Sequence, residues 1–378
     1  MKVLHLLGST EDIGGILSVI RNLQTASADR GVQHFIWVNE RYREVRRPAL
    51  TYRFSRHLLG ESPSHLRLLW EAVRALKELR ALLATESFDV LHAHTRGACA
   101  LAMQVAAVWR RPVLFTNHTY GSRRAMYRWA ARLPRFHCTV LTPNMARHYG
   151  LAVDRVRIVS ESCADSFFEL PLAPRRALAG RTVRLVGLGN IVRWKNWHLI
   201  IEAIAQLAAE EQRRLEFHHW GPVPDDPECA AYERALHAAV QTRNLAGRVC
   251  FHGLSLSVQE PLREADFFVL PSTNEPCSVA LIEALALGIP AVVSASGGNV
   301  DIIAADRTGL LFVPDDAASL RDAFRRILAG PVPLAAAAAV RESVRQRSAS
   351  AVATEYLKIY AEQGVPSAGL RATANGLT

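Results

Sequence analysis

Lysine is scarce in this chain. Of 45 basic residues only Lys2, Lys77, Lys195 and Lys358 are lysine, so a lysine that falls inside a motif carries weight. Cys99, Cys138, Cys163, Cys229, Cys250 and Cys277 lie far apart and never form a C-x-x-C pair. That spacing speaks against both a zinc site and a disulfide framework, and marks them as reduced core cysteines. No apolar run reaches the roughly 18 residues of a membrane span; the nearest, GACALAMQVAAVW at 97–109, is shorter and contains a glutamine. Too few apolar residues separate Lys2 from Gly8 for the core of a secretion signal, so the cytoplasm is the expected location. An Asp-x-Asp triplet, which would ligate a divalent cation, is also missing, and no metal is expected.

What is present is a chain of 378 residues, 49% of them apolar. That is enough for about two domains of roughly 100–200 residues, each with its own core. The formal net charge is +10 and is unevenly placed: residues 1–170 hold 24 Lys and Arg against 14 Asp and Glu, while residues 171–378 hold 21 of each. The densest basic stretches are RYREVRRPALTYRFSRH (41–57) and RRAMYRWAARLPR (123–135), where Arg alternates with Tyr, Phe, Trp and Met. The second reads as a basic amphipathic helix up to Pro134, suited to a membrane surface or an anionic partner. A solvated face of an Arg-rich protein is the other reading of the same pattern.

Short β-branched runs alternate with longer helical patterns. Candidate strands are 3–8, 34–38, 90–94, 112–118, 138–143 and 156–160, then 183–189, 216–221, 249–253, 267–272, 291–296 and 309–314. Such alternation implies parallel sheets covered on both faces, an α/β fold of two doubly wound, Rossmann-like domains. Pro171, Pro174 and Gly180 break helix and strand periodicity between the two series. The expected organisation is therefore residues 1–170, residues 171–347, a helix at 348–365 and a flexible tail at 366–378. Two domains of this kind would turn the carboxyl ends of their strands toward a common cleft.

The sharpest signal is LPSTNEPCSVALIEALALGIPAVVSASGG (270–298). A buried strand ends at Pro271, a loop holds Glu275, and Ser278 is placed to cap a helix stopped by Gly288 and Pro290. The free N–H groups at the start of that helix suit an anion. Glu283 sits among apolar neighbours in its second turn, where it accepts hydrogen bonds from sugar or ribose hydroxyls or pairs with an arginine; both readings are open. Gly297 and Gly298 follow a strand directly and let backbone approach a ligand.

Glu275 and Glu283 form an E-x7-E pair, followed by EALALGIPAVVS, the Gly pair and TGLLFVP. This resembles the nucleotide-sugar site of retaining glycosyltransferases of family 4 (group 1), which have the GT-B fold. The resemblance runs over almost the whole chain. GLGNIVRWKNWHLIIEAI (187–204) is similar to the segment that carries the family's lysine, here Lys195, and RVCFHGL (248–254), with Val249, resembles the one that meets the nucleobase through backbone. GSTEDIGGILSVIRNL (8–23) resembles its first Gly-rich loop, which implies that Gly14 and Gly15 lie beside acceptor and phosphates. FTNHTY (115–120) resembles a strand end whose histidine, here His118, reaches the donor sugar, and YLKIY resembles a helix that returns to the first domain. Where the family has an arginine about five residues before its lysine this chain has Asn190, leaving Arg193 as the alternative cation, and after the Gly pair Asp301 stands where the family prefers glutamate.

What the resemblance implies is a retaining hexosyltransferase that moves a sugar from a nucleotide-diphosphate sugar to a glycan or glycolipid hydroxyl. It would need no cofactor beyond that co-substrate and would serve cell-surface polysaccharide synthesis. Lys195, Glu275 and His118 are the expected catalytic groups. Gly14, Gly15, Asn190, Arg193, Val249, Ser278, Val279, Glu283 and Gly298 are the expected donor-binding ones. A fixed cation aimed at the leaving diphosphate lowers the barrier to breaking the sugar–phosphate bond. A sugar-nucleotide epimerase on a similar frame, and a non-catalytic anion-binding protein, are the alternatives; nucleic acid is not an expected partner. His92 and His94, two apart on a strand, share a face, but an H-x-H pair without a third ligand is a weak metal site.

Overall fold

The computed structural model describes residues 1–10, 15–44, 50–60, 64–122, 124–152, 156–175, 177–330, 332 and 334–363. Gly14, Arg123, the centre of the basic stretch at 45–49 and the tail at 366–378 lie outside the described residues. The chain divides into two compact units, one of Met1–Ser162 with the helix Ala349–Glu362, the other of Cys163–Ser348.

In the first unit β1 (Lys2–Leu6), β2 (Gln33–Asn39), β3 (Thr51–Ser55), β4 (Val90–Ala93), β5 (Val113–Asn117), β6 (Phe136–Val140) and β7 (Arg157–Ile158) form one sheet. Its order is β3-β2-β1-β4-β5-β6-β7, and every pairing is parallel. In the second, β8 (Val183–Leu188), β9 (Leu215–Trp220), β10 (Val249–Phe251), β11 (Phe267–Leu270), β12 (Ala291–Ser294) and β13 (Gly309–Phe312) are ordered β10-β9-β8-β11-β12-β13, again all parallel. Central strands are apolar at nearly every position because helices cover both faces, as in β11, where Phe267, Phe268, Val269 and Leu270 are all buried.

Two expectations need correction. The stretch 41–57, read as a basic cluster, contains the edge strand β3, which pairs with β2 from Phe35↔Thr51 to Asn39↔Ser55. An edge strand is only half covered, so its alternation of Tyr52, Arg53 and Phe54 looks like scattered surface charge; Arg53 is in fact held by Glu86 at 2.6 Å. The expected helix up to Pro134 is shorter, Arg124–Ala130. Buried Tyr127 and Ala130 anchor it, and Leu133 N–H then bonds the Ala130 carbonyl, so the chain tightens into turns.

The break between units falls at Ser162, eight residues before the expected 170. Cys163 to Leu170 belong with the second unit: Cys163 N–H bonds the Arg347 carbonyl at 3.1 Å, and the Arg341 guanidinium donates to the carbonyls of Phe168 and Leu170. The helix Ala349–Glu362 packs on the helix Gly15–Ala26 and buries Tyr356 and Tyr360.

Candidate active site

A parallel sheet whose strand order reverses leaves a crevice at the carboxyl ends of the two strands that flank the reversal. In the second unit those strands are β8 and β11. After β8 the chain turns through Gly189 (φ +145°) and Asn190 into a single turn, Arg193–Lys195, closed by Asn196 in the left-handed region (φ +56°). After β11 the loop 271–277 carries Glu275. The two loops are tied together: Thr273 N–H bonds the Trp194 carbonyl at 3.0 Å, and the Asn196 amide donates to Thr273 Oγ1 and Asp315 Oδ1, each at 2.7 Å.

Between them Lys195 Nζ donates to Glu275 Oε2 at 2.5 Å, both side chains being buried. The ammonium also sits 4.5 Å from the centre of the Trp194 ring. The structure thus brings together two of the residues singled out from the sequence. Ser278 caps the helix Val279–Ala286, its Oγ accepting from Leu281 N–H at 3.2 Å. Val279 and Glu283 lie on that helix, both half-buried. Glu283 is close enough to Cys163 to help burial push that thiol well above its usual range.

Gly297 and Gly298 have a task the sequence did not disclose. Gly298 N–H bonds the Glu275 carbonyl at 2.7 Å, and a Cβ on Gly297 (φ +59°) would lie 2.4 Å from the same oxygen. The pair therefore clamps the backbone of the Glu275 loop. Arg193 is exposed, its guanidinium 5.4 Å from the Tyr232 ring centre, and Asn190 accepts from Trp197 Nε1–H through its carbonyl at 3.0 Å. Val249 is buried at the start of β10; Trp220 and His252 stack near that strand with ring centres 4.4 Å apart.

In the first unit the reversal lies between β1 and β4. Gly15 opens the helix after β1 and is exposed. His118 follows β5 directly, but its ring is buried with both nitrogens engaged inside the unit. Nδ1 is 2.6 Å from Glu161 Oε1 and Nε2 is 2.9 Å from His94 Nδ1. Glu161 escaped the sequence reading because nothing local to 156–163 marks it. His92 and His94 do share a face, and the third imidazole that the sequence left open is His5, on the neighbouring strand β1. Ligand atoms of the three lie within 4.8 Å of one another, and each ring is already hydrogen bonded.

Residues 176–347 match the family model described as "Glycosyl transferases group 1", and residues 13–177 match "Glycosyltransferase Family 4". The two matches adjoin and run through both units: the chain belongs to the group 1 glycosyltransferases of family 4. It is 30% identical over 178 residues to mannosylfructose-phosphate synthase of Agrobacterium fabrum, which covers 44% of this chain and 38% of that protein. It is 25% identical over 312 residues to D-inositol 3-phosphate glycosyltransferase of Corynebacterium aurimucosum, covering 73% and 72%. The matched stretch thus spans well under half the length of the Agrobacterium enzyme. In fold, the chain resembles sucrose-phosphate synthase of Thermosynechococcus elongatus (TM-score 0.79, 21% identity, 96% of this chain and 98% of that one). It also resembles Anabaena HepE solved with UDP and glucose (TM-score 0.74, 16% identity, 96% and 99%). At these identities the likeness is one of GT-B fold.

Burial holds His34 at a pKa of about 4 and His219 at about 3, against an ordinary 6.5. An unfolded chain takes up protons at both first as pH falls below about 6.5, so stability that is full above that pH drains away toward pH 4. Urea midpoints are expected to be clearly lower at about pH 5 than at about pH 7.5; equal midpoints would show that these rings are not buried neutral.

Proposed function

We propose that this chain transfers a sugar, with retention of anomeric configuration and without a metal ion, from a nucleotide-diphosphate sugar to a hydroxyl of a glycan or glycolipid. The observation that carries the reading is the buried Lys195–Glu275 pair at 2.5 Å on the two loops that flank the strand reversal, next to the helix capped by Ser278. During transfer the bond between the anomeric carbon and the diphosphate oxygen breaks and its electron pair leaves on the diphosphate. The acceptor oxygen forms the new bond and gives up its proton. Lys195 and the free N–H groups at Ser278 and Val279 meet the developing charge. Glu275 takes donor-sugar hydroxyls, Glu283 takes the ribose, and the base lies along the backbone near Val249. Retention rests on the family resemblance. The HepE structure, whose ligands are UDP and glucose, supports a nucleotide-sugar donor in this fold.

Glu275→Gln keeps the shape of the pair and removes its charge, and Lys195→Ala removes the cation. Each is expected to lower transfer about 10²–10³-fold, whereas Arg193→Ala, whose guanidinium lies over Tyr232, costs far less. A thermal-shift panel of UDP, GDP and ADP identifies the nucleotide, and Glu283→Ala should reduce the shift it gives. Near-normal transfer by Glu275→Gln or Lys195→Ala, with the fold checked by circular dichroism, would remove the site.

Metal independence is supported by the chemistry of the donor set, a lysine and a helix N-terminus in place of paired carboxylates. EDTA should leave the rate nearly unchanged. A rate that collapses in EDTA and returns with Mn²⁺ refutes this part of the reading.

The acceptor side is expected to touch an anionic membrane. Among the described residues no helix is long and apolar enough to cross one, but the helix His65–Thr85 exposes Leu66, Leu69, Trp70 and Val73 at 3–4 residue spacing. Arg67, Arg74, Lys77 and Arg80 are exposed beside them. The helix's Glu71 and Glu78 are instead bonded to His57 and Ser55, so the outward face is apolar and cationic. Arg124, Arg128 and Arg132 are also exposed. Vesicles rich in phosphatidylglycerol should pull the protein down at low salt and release it at high salt. Leu69→Gln with Trp70→Gln should weaken capture more than Arg124→Gln with Arg128→Gln. No capture at any salt concentration makes the acceptor a soluble molecule.

A further inference from the structure

Six buried side chains from six different segments of the first unit lie in one unbranched line. Ser27 Oγ is 2.9 Å from His34 Nε2. His34 Nδ1 is 2.8 Å from His5 Nε2, and His5 Nδ1 is 2.8 Å from His94 Nε2. His94 Nδ1 is 2.9 Å from His118 Nε2, and His118 Nδ1 is 2.6 Å from Glu161 Oε1. All six residues are at least nine-tenths buried.

The protons in this line can be counted. Ser27 Oγ lies 2.6 Å from the Leu23 carbonyl oxygen. Two oxygens at that distance need a hydrogen between them, and only the serine can supply it. Ser27 therefore accepts from His34, and His34 carries a proton on Nε2. At the other end a carboxylate accepts from His118, which carries one on Nδ1. Five bonds then require five protons, and four neutral imidazoles bring four. The fifth is the proton that balances Glu161, so the line is complete only when its net charge is zero, which is also the condition for burying it.

We infer that Ser27, His34, His5 and His94 are positioning residues that fix the direction of every bond in this line and so keep His118 doubly protonated, as an imidazolium paired with Glu161. Read from the serine inward, His34, His5 and His94 are each the Nε2–H tautomer, and His118 bears both protons. The surplus proton can move toward His34 by successive transfers along the three nitrogen–nitrogen bonds, with each ring passing its own proton on. Its resting place is beside the carboxylate, because burial holds His5 and His94 well below the usual histidine range and His34 at about 4. The other titratable groups facing the line are His92, bonded to Thr116 and Tyr360, and Tyr356; burial pushes the Tyr360 phenol well above its usual range, so it stays neutral. With both ring nitrogens donating, His118 has no lone pair to serve as a general base; it offers a fixed positive charge.

The test uses the full chain labelled with ¹⁵N and long-range imidazole correlation spectra. At about pH 7.5 the expected result is Nε2–H tautomers at His34, His5 and His94 and a doubly protonated His118. Four neutral Nδ1–H rings would overturn the inference. Ser27→Ala removes the acceptor that sets the direction, four bonds from His118. In the variant the proton-loaded line leaves a buried N–H at His34 without a partner, whereas the deprotonated line satisfies every bond. The rings of His34, His5 and His94 should therefore turn over to Nδ1–H tautomers in the same spectra at about pH 7.5. A serine with a merely structural role would leave the tautomers of the unaltered chain in place, and such a result also overturns the inference. The readout does not involve transfer, so its failure leaves the proposed function standing and the reverse holds as well.

Discussion

Parallel pairing of every strand is the constraint on which the rest depends. A parallel neighbour cannot be reached by a tight turn, so each strand is followed by a crossover, and every strand ends at the same edge of its sheet. Lys195 follows β8, Glu275 and the Ser278 cap follow β11, and the Gly297–Gly298 pair follows β12, three strands that end at one edge. The order β9-β8-β11-β12 then decides which of these loops are neighbours. Lysine and glutamate meet because β8 lies beside β11, although 80 residues separate them.

The same edge carries different chemistry in the two units. In the second, a cation and a carboxylate are held at a loop junction by backbone clamps, with a helix start alongside. In the first, charge is drawn inward through imidazoles and ends on Glu161, one of whose oxygens, Oε2, is buried without a hydrogen-bond partner among the described residues.

Most of the strands could be read from the sequence because full burial on both faces demands uninterrupted apolar residues. β3 could not, since half-exposure at an edge gives Thr51–Ser55 the same look as a solvated basic stretch. The residues after β8 and β11 were legible as a motif, but their contact was not, because nothing in a linear sequence states that Gly297 must approach the Glu275 carbonyl. His118 was found by its place at a strand end. Its partners were beyond reach: Ser27, His34, His5, His94 and Glu161 come from separate segments and become one object only through the register that sets Leu4 opposite Phe35 and His5 opposite His92. The shared face of His92 and His94 was readable; that one bonds toward Tyr360 and the other toward His118 was not.

The second unit is one continuous piece of chain, whereas the first is interrupted and takes back the helix Ala349–Glu362 after a gap of nearly two hundred residues. During synthesis the order of completion is therefore reversed with respect to the order of emergence. The seven strands of the first unit leave the ribosome early but lack Tyr356 and Tyr360, whose hydroxyls bond Thr116 and His92 in the finished fold. Until that helix arrives Thr116 and His92 lack these two hydroxyl partners. The second unit has every element it needs as soon as Ser348 has emerged.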